Sequence, residues 1–493
     1  MFVRLSSRVL RRRRGKALIF LLICLPALIG VLGLAVDGGF LLTQQRNLQH
    51  ATDAAATAAA MDLRLGKPDA VARETARAYV QNHNGFAGAN VTIAIPPTSG
   101  VNAGNSGFVQ VDAALPYSSF FMQAAGGEAS TPTDVRSCAG CVISTAATAV
   151  HVLDENPPAI SVLPVGVVLP SFPALIGGLE VLGLGSVKVD GAVLVNTRWG
   201  GKDEHGELVG ANMLPPYGVS CTPLLGLTRL KARDVRTAGG VDQPNSYAPW
   251  SGGSSPLKAN RMPVPDPFKS LPVPTKAVDP INVDTTYRGG VSVLTVPIIQ
   301  PPKVLSPGVY DWIEVVAGAA VFQPGVYIIR GKNPITGLSL NILAGIVSAE
   351  GVMFYITNSP AYDGIGGGPD AGDGEIRPTP PAVLGMLPSV LINAALPGSR
   401  FSPIQTSGSP FKDVLIYQRR HDYRPIAIVH QGLLGTAEFS GTLYAKWGHV
   451  LMVGNGDYEL SIAAGTARLV TVLGMTITPS NSLPAAKDVY LTE

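Results

Sequence analysis

Charge is scarce in this chain. Of its 493 residues only 14% are Asp, Glu, Lys or Arg, while 46% are apolar. That balance excludes wholesale disorder. Aromatic residues make up 6%, too few for a surface that binds nucleic acid by stacking, and no nucleic-acid partner is expected. Four cysteines exclude a disulfide-built scaffold. There is no His-Glu-x-x-His helix, no Gly-x-Ser-x-Gly elbow and no Gly-x-x-x-x-Gly-Lys loop. Metalloprotease, nucleophile-elbow and phosphate-cradling chemistry therefore lack a motif. No catalytic residue, cofactor or metal is assigned, and the chain is not expected to be an enzyme. Glycine (56) and proline (41) are abundant instead, turn-rich yet below the ~25–30% of low-complexity chains.

The net charge of +3 is local. Residues 1–16 hold Arg4, Arg8, Arg11, Arg12, Arg13, Arg14 and Lys16 with no acid, and the remainder carries −4. Ala17 to Val36 then runs without a charge. Twenty residues at ~1.5 Å each span about 30 Å, one hydrocarbon core. Bases in front (Arg11, Arg12, Arg13, Arg14 and Lys16 nearest the bilayer) and Asp37 behind place the N-terminus in the cytoplasm and export the rest. A cleaved signal peptide has an apolar region of about 7–15 residues and an A-x-A-like site. This run is longer and leaves through Gly33-Leu34-Ala35-Val36-Asp37, so a retained anchor is expected. Ile23 before Cys24 is too bulky for lipoprotein processing, and Cys24 is read as a packing or lipid-facing residue.

Beyond the apolar run, Phe40 to Gly66 is rich in Ala, Leu, Gln and Arg and extends the helix. Gly66-Lys67-Pro68 breaks it, and Asp69 to Asn82 reads as a second helix. The Arg14-Gly15 start, the apolar run with Pro26, the Gly33–Asp37 exit, Leu48-Gln49 and Ala51-Thr52-Asp53-Ala54-Ala55-Ala56 together resemble the N-terminal segment of TadG-like proteins of the Tad (tight adherence, Flp) pilus-assembly system. The resemblance covers a tenth of the chain. It implies an inner-membrane-anchored accessory of pilus or surface-protein assembly, without enzymatic activity. Two departures limit it. Filament subunits of related systems have Glu five residues after the processed Gly, where this chain has Phe20. The Asp-x-Ser-x-Ser metal loop of many TadG-like proteins is missing.

Short alternating strands follow at Val91–Ile95, Phe108–Asp112 and Val142–Ala146. Residues 37–155 are read as a pilin-like α+β stem. From 156 to 480 short strands alternate with Gly, Pro, Asn and Asp, as in Gly178–Thr197, Gly337–Thr357 and Asp413–Val453. Pro307-Gly308-Val309-Tyr310 recurs as Pro324-Gly325-Val326-Tyr327. This cadence predicts a parallel β-helix or solenoid, with a β-sandwich as the alternative. Pro-rich residues 198–290 and Gly-rich residues 358–412 are read as excursions, and 481–493 as a tail.

Three constellations are candidates for chemistry. Asp363, Asp370, Asp373 and Glu375 offer oxygen ligands for Ca²⁺, against solvated loop carboxylates. Arg419, Arg420, His421, Asp422 and Arg424 offer a patch for an acidic glycan, against a charged turn. Cys138 and Cys141 with His151 offer an incomplete zinc set, and after export a Cys138–Cys141 disulfide is the favoured reading. The whole reads as a single-pass protein of the bacterial inner membrane, with its bulk periplasmic or at the cell surface. The expected partners are the lipid bilayer, Tad pilus or secretion components and, in the alternative, surface glycans. That alternative is a tethered glycan-binding or polysaccharide-degrading β-helix, and a groove lined by two or more carboxylates would favour it.

Overall fold

A computed structural model describes residues 14–118, 130–143, 146–158, 176–210, 213–221, 229–295, 300–370, 376–379, 387–393, 398–430, 437–480 and 487–491, with the single positions 121, 372, 374, 483 and 485. The chain divides into two units, 1–143 with 487–493, and 144–486.

The first unit opens with one unbroken helix, α1 (Arg14–Arg64), which carries Pro26 inside it. It is long and apolar enough to cross a membrane. Its side chains in the apolar run stand open, Phe20 at 71% and Leu22 at 70%. Farther along, Leu48, Ala55, Ala56, Ala59 and Ala60 are buried. Alanine there lets other backbone approach the helix closely. Gly66, at φ +75°, turns the chain, and α2 (Asp69–Ala78) begins after Pro68. The second helix is shorter than the expected 69–82, because Tyr79–His83 widens into a π turn. Arg73 holds the carbonyls of Ile93 and Ile95, fixing α2 to an antiparallel sheet of β1 (Asn90–Ala94), β2 (Phe108–Ser118) and β3 (Ser130–Ile143). The expected tail supplies the fourth strand: Lys487–Leu491 pairs with β3, Lys487 opposite Ile143. The boundary expected at 155 lies earlier, because Thr148–Val152 pairs with strands of the second unit.

The second unit is mainly β, and 22 of its strands join one sheet, beside a separate two-stranded one. Among the described residues the pairings are parallel apart from Gly201–Lys202 with Leu208–Val209 and the Lys202–Val241 bridge. An antiparallel sandwich is thereby ruled out. Eight strands close a circuit of parallel pairings: Gly308–Ala317, Gly325–Ile329, Val352–Ile356, Val414–Gln418, Glu438–Gly454, Ile426–His430, Val390–Asn393 and Leu340–Ile342. The long strands belong to more than one ladder, so three ladders run side by side. In each, alternate residues at every level point inward. Ile313, Leu340, Val390, Ile426, Val450, Ala467, Leu179 and Val219 pair in succession, all fully buried. Removing that apolar area from water at ~25 cal/mol per Å² is the main stabilising term.

The levels do not follow chain order throughout. Levels rise from Tyr287–Leu294 to Met475–Ile477, and Met475–Ile477 then pairs with Val187–Val189. The stack continues through Leu230–Thr237 to Tyr247–Pro249 and Leu257–Lys258. The Pro-rich region expected at 198–290 thus contains two levels, and only its later part is extended. That part returns along the outside of the second ladder. Arg261 bonds Thr237, Val264 bonds Asn196, Asp266 accepts from Tyr444, and Asn282 accepts from the N–H of Val326. Likewise the Gly-rich region 358–412 contributes strand Arg400–Phe401, and Val390–Asn393 belongs to a ladder rather than a loop.

Beneath this strap lies an outward row of Tyr355, Tyr417 and Tyr444, one per level, with ring centroids 4.9 and 5.3 Å apart. Arg420 lies against the last two rings and donates to the carbonyls of Phe268, Lys269 and Leu271. Arg420→Ala should remove the bonds that hold these part-buried carbonyls and empty a buried guanidinium site, destabilising the second unit by about 3 kcal/mol. Arg420→Lys should rescue little, since a single ammonium cannot reproduce the planar fork. Denaturant melts and trypsin cleavage at Lys269 measure both effects; unchanged midpoints would refute the bracket.

Candidate functional site

Among the described residues, long outward rows of the second and third ladders are covered, although Ser292 at the start of the third is exposed. In the third, the outward row Asn341, Leu391, Ala427, Leu451, Arg468 and Glu180 is buried. Its two charges satisfy each other, Arg468 donating to Glu180, which also accepts from the backbone of Gly177. The first ladder differs. Its outward positions Arg400, Glu438, Asp457, Glu459 and Lys188 are exposed.

These positions come from distant sequence. Arg400 pairs with Glu438, and Ser440 pairs with Glu459. Two residues before the latter pair, Glu438 and Asp457 stand level, about 4.8 Å apart along the sheet. Glu350, Arg400, Glu438, Asp457 and Glu459 line a groove of about 510 Å³. Arg400 bridges Glu438 at 3.2 Å and Glu350 at 3.7 Å. One guanidinium therefore faces four carboxylates. A second groove, of about 860 Å³, shares Glu459 and Thr478 and adds Asp190, Arg233 and Trp250. Arg233 pairs with Asp190 at 2.5 Å and lies over Trp250. Such a strip can take a cationic or hydroxyl-rich chain laid along the levels.

Sequence reasoning missed this strip because level register is invisible in one chain. A signal was present all the same. Arg400-Phe401, Glu438-Phe439 and Asp457-Tyr458 repeat a charged–aromatic pair, the aromatic turned inward. Phe401 and Phe439 stack with centroids 4.6 Å apart, and Tyr458 follows at 6.3 Å.

The expected constellations are placed otherwise. Asp363 accepts from the backbone of Ile365 and Gly366 in its own turn. Asp370 is buried under Tyr355, whose hydroxyl donates to it, and pairs with Arg419 at 2.9 Å. Burial pushes its carboxyl up. Asp373 and Glu375 lie outside the described residues. The two described acids thus serve separate structural bonds. The basic patch is likewise spent internally: Arg419 on Asp370, Arg420 on the strap, and Arg424 on Asp422 at 2.7 Å. His421 is half-buried beside them. Of the anchor bases, Arg11, Arg12 and Arg13 lie outside the described residues, and Arg14 and Lys16 belong to α1.

Cys138 and Cys141 both belong to β3, whose register with β2 and with Lys487–Leu491 is unbroken. Three residues of strand separate their Cα atoms by about 10 Å, while a disulfide needs roughly 4.4–6.8 Å. The strand replaces the tight loop that the bridge requires. Alkylation of the denatured, unreduced chain should modify all four cysteines. A product with two modified would restore the bridge.

His151 sits in Thr148–Val152, in the tyrosine row's continuation under the strap. Burial pushes its imidazole down to about 4. His449 bonds Thr466 Oγ1 at 2.9 Å, and burial, with the charge of Arg468, pushes it down to about 3. Both titrate below their ordinary 6.5. As pH falls from about 6.5 towards 4, the unfolded chain binds more protons and stability is lost, by at most about 1.4 kcal/mol per pH unit for each. Asp154 opposes this in part. Burial lifts its carboxyl to about 6 against the pull of Arg377, so it favours the fold on acidification. Melting temperature against pH should fall across this window, and His449→Gln should flatten the slope. A wild-type slope of the opposite sign would refute the assignment.

The searches of curated proteins and of solved structures each returned no match. A family model does match: residues 15–62 fit Tad, described as "Putative Flp pilus-assembly TadE/G-like". The match spans the apolar run and the alanine-rich part of α1, the segment that carries Pro26, the Gly33–Asp37 exit and Ala54-Ala55-Ala56. The similarity to TadE/G-like Flp pilus-assembly proteins thus lies in the N-terminal segment, residues 15–62.

Proposed function

We propose that the chain is a single-pass structural component of a Tad-type pilus apparatus, without catalysis of its own. Its N-terminus lies in the cytoplasm, and its bulk is exported to the periplasm or cell surface. The observation that carries this reading is the Tad match over residues 15–62, on a helix that is apolar and exposed. The basic residues before Ala17 supply the orientation. A helix leaning on a small antiparallel sheet is a pilin-like stem. The second unit is read as a parallel β-solenoid: successive levels pair in parallel, inward rows stack, and long strands turn from one ladder into the next. The eight-strand circuit is then the outline of two neighbouring ladders rather than a barrel.

One observation favours a second reading. The groove on the first ladder brings Glu438, Asp457 and Glu459 together, and grouped carboxylates are what a glycan-binding or glycan-cleaving site would use. The same strain set separates the two. Deleting the gene in its own bacterium should abolish surface Flp filaments. Full-length protein should restore them, and so should the Glu438→Gln/Asp457→Asn variant. Normal filaments in the deletion strain would refute the assembly role. Polysaccharide binding or cleavage by purified protein, lost in the double variant, would establish the second reading.

A further inference from the structure

The apolar surface of α1 does not stop at Asp37. Gly38, Gly39, Phe40, Leu41 and Leu42 follow it, and polar residues resume at Thr43. Ala17 to Leu42 is about 39 Å of helix, longer than the ~30 Å hydrocarbon core, with Asp37 as its single charge. A carboxylate about a turn and a half inside such a stretch is costly against lipid.

Asp37 is nevertheless hidden. It is 4% exposed, while Leu34 stands at 58% and Phe40 at 57%. Part of its cover comes from Phe121, beyond the end of β2. The Phe121 N–H donates to Asp37 Oδ2 at 2.8 Å. Its ring lies on Gly33, one turn below, so closely that a Cβ at Gly33 would meet the ring at 2.6 Å. Gly33 and Asp37 share one helix face, and both are buried. The ring itself remains 44% exposed. At the depth of Gly33, inside the apolar run, an exposed surface faces whatever surrounds the anchor.

We propose that Phe121 is a membrane contact, its ring seated at the edge of the bilayer against Gly33, where it shields Asp37 from lipid while its N–H satisfies the carboxylate. The sheet of the first unit would then meet the membrane through this residue as well as through α1. The inference rests on the anchor reading, with the lipid bilayer as the occupant. It extends that anchor by one lipid contact from beyond β2, which would resist tilting of the helix beneath its sheet.

The test uses full-length protein in vesicles of phosphatidylethanolamine and phosphatidylglycerol. A benzophenone side chain is placed singly at positions 121, 34 and 101, and lipid adducts are read by mass spectrometry after illumination. Position 34 is the reference on the anchor; Val101, 92% exposed in a loop of the same unit, is the aqueous reference. Lipid adducts at 121 comparable to those at 34, with none at 101, support the proposal. Adducts at 34 but none at 121 overturn it and leave the anchor standing. No adducts at 34 overturn the anchor, and the proposal with it.

Discussion

The second unit depends on the pairing of the far ends of its own chain. Met475–Ile477 lies in parallel against Val187–Val189, and Gly456–Thr471 against Thr148–Val152 and Gly177–Gly183. The middle of the stack is therefore made of its earliest and latest residues. A chain that starts in the middle and builds to one end must travel to the other end before it can return. Residues 261–282 make that journey, and their bonds to Thr237, Asn196, Tyr444, Arg420 and Val326 fix them along the way. The levels cannot add in simple succession, because the closing pairs wait for strands some 300 residues apart. Such long-range closure slows folding and leaves edges open meanwhile.

The same constraint explains what the sequence disclosed. Local features were legible: the apolar run of α1, the break at Gly66-Lys67-Pro68, and β1 and β2 within a residue or two at their starts. The mainly β character of the second unit was legible from short strands and glycine corners, and the paired Pro-Gly-Val-Tyr runs marked two strands that lie side by side. Those runs do stack, although Gly308 pairs with Tyr327 rather than with Gly325. Register and destination were not legible. Residues 217–220 and 230–237 read as Pro-rich excursion because their partners, at 177–180 and 187–195, can be identified only once the levels are aligned. Cys138 and Cys141 read as a loop because proximity in sequence was taken for proximity in space; an extended strand separates what a turn would join. Arg420 and Asp370 read as surface chemistry because a charged turn and a buried bracket look alike in composition.

Cover decides where this stack can meet a partner. Its outward-pointing positions fall on three ladders. On the second, tyrosines that would otherwise show aromatic rings to water lie under the strap, with Phe268 and Leu271 packed on them. On the third, even Arg468 and Glu180 are buried, so each must be the other's counter-ion; breaking either alone would leave a charge in a site built for a pair. The first ladder is the most open of the three along the stretch from Arg400 to Lys188, where its outward positions are exposed and acids outnumber bases around Arg400. Four acids gather around Arg400 at one end of the strip, and Lys188, Lys231 and Arg233 follow beyond Thr476. Phe401, Phe439 and Tyr458 beneath hold the strand spacing rigid. Because the levels fix the rise between neighbouring carboxylates, a partner with its own repeat along a line would be selected by spacing as well as by sign. A structural protein of a filament system needs that kind of one-dimensional match, and so does a polymer-binding one. The two readings of this chain therefore converge on the same strip and differ in what is laid along it.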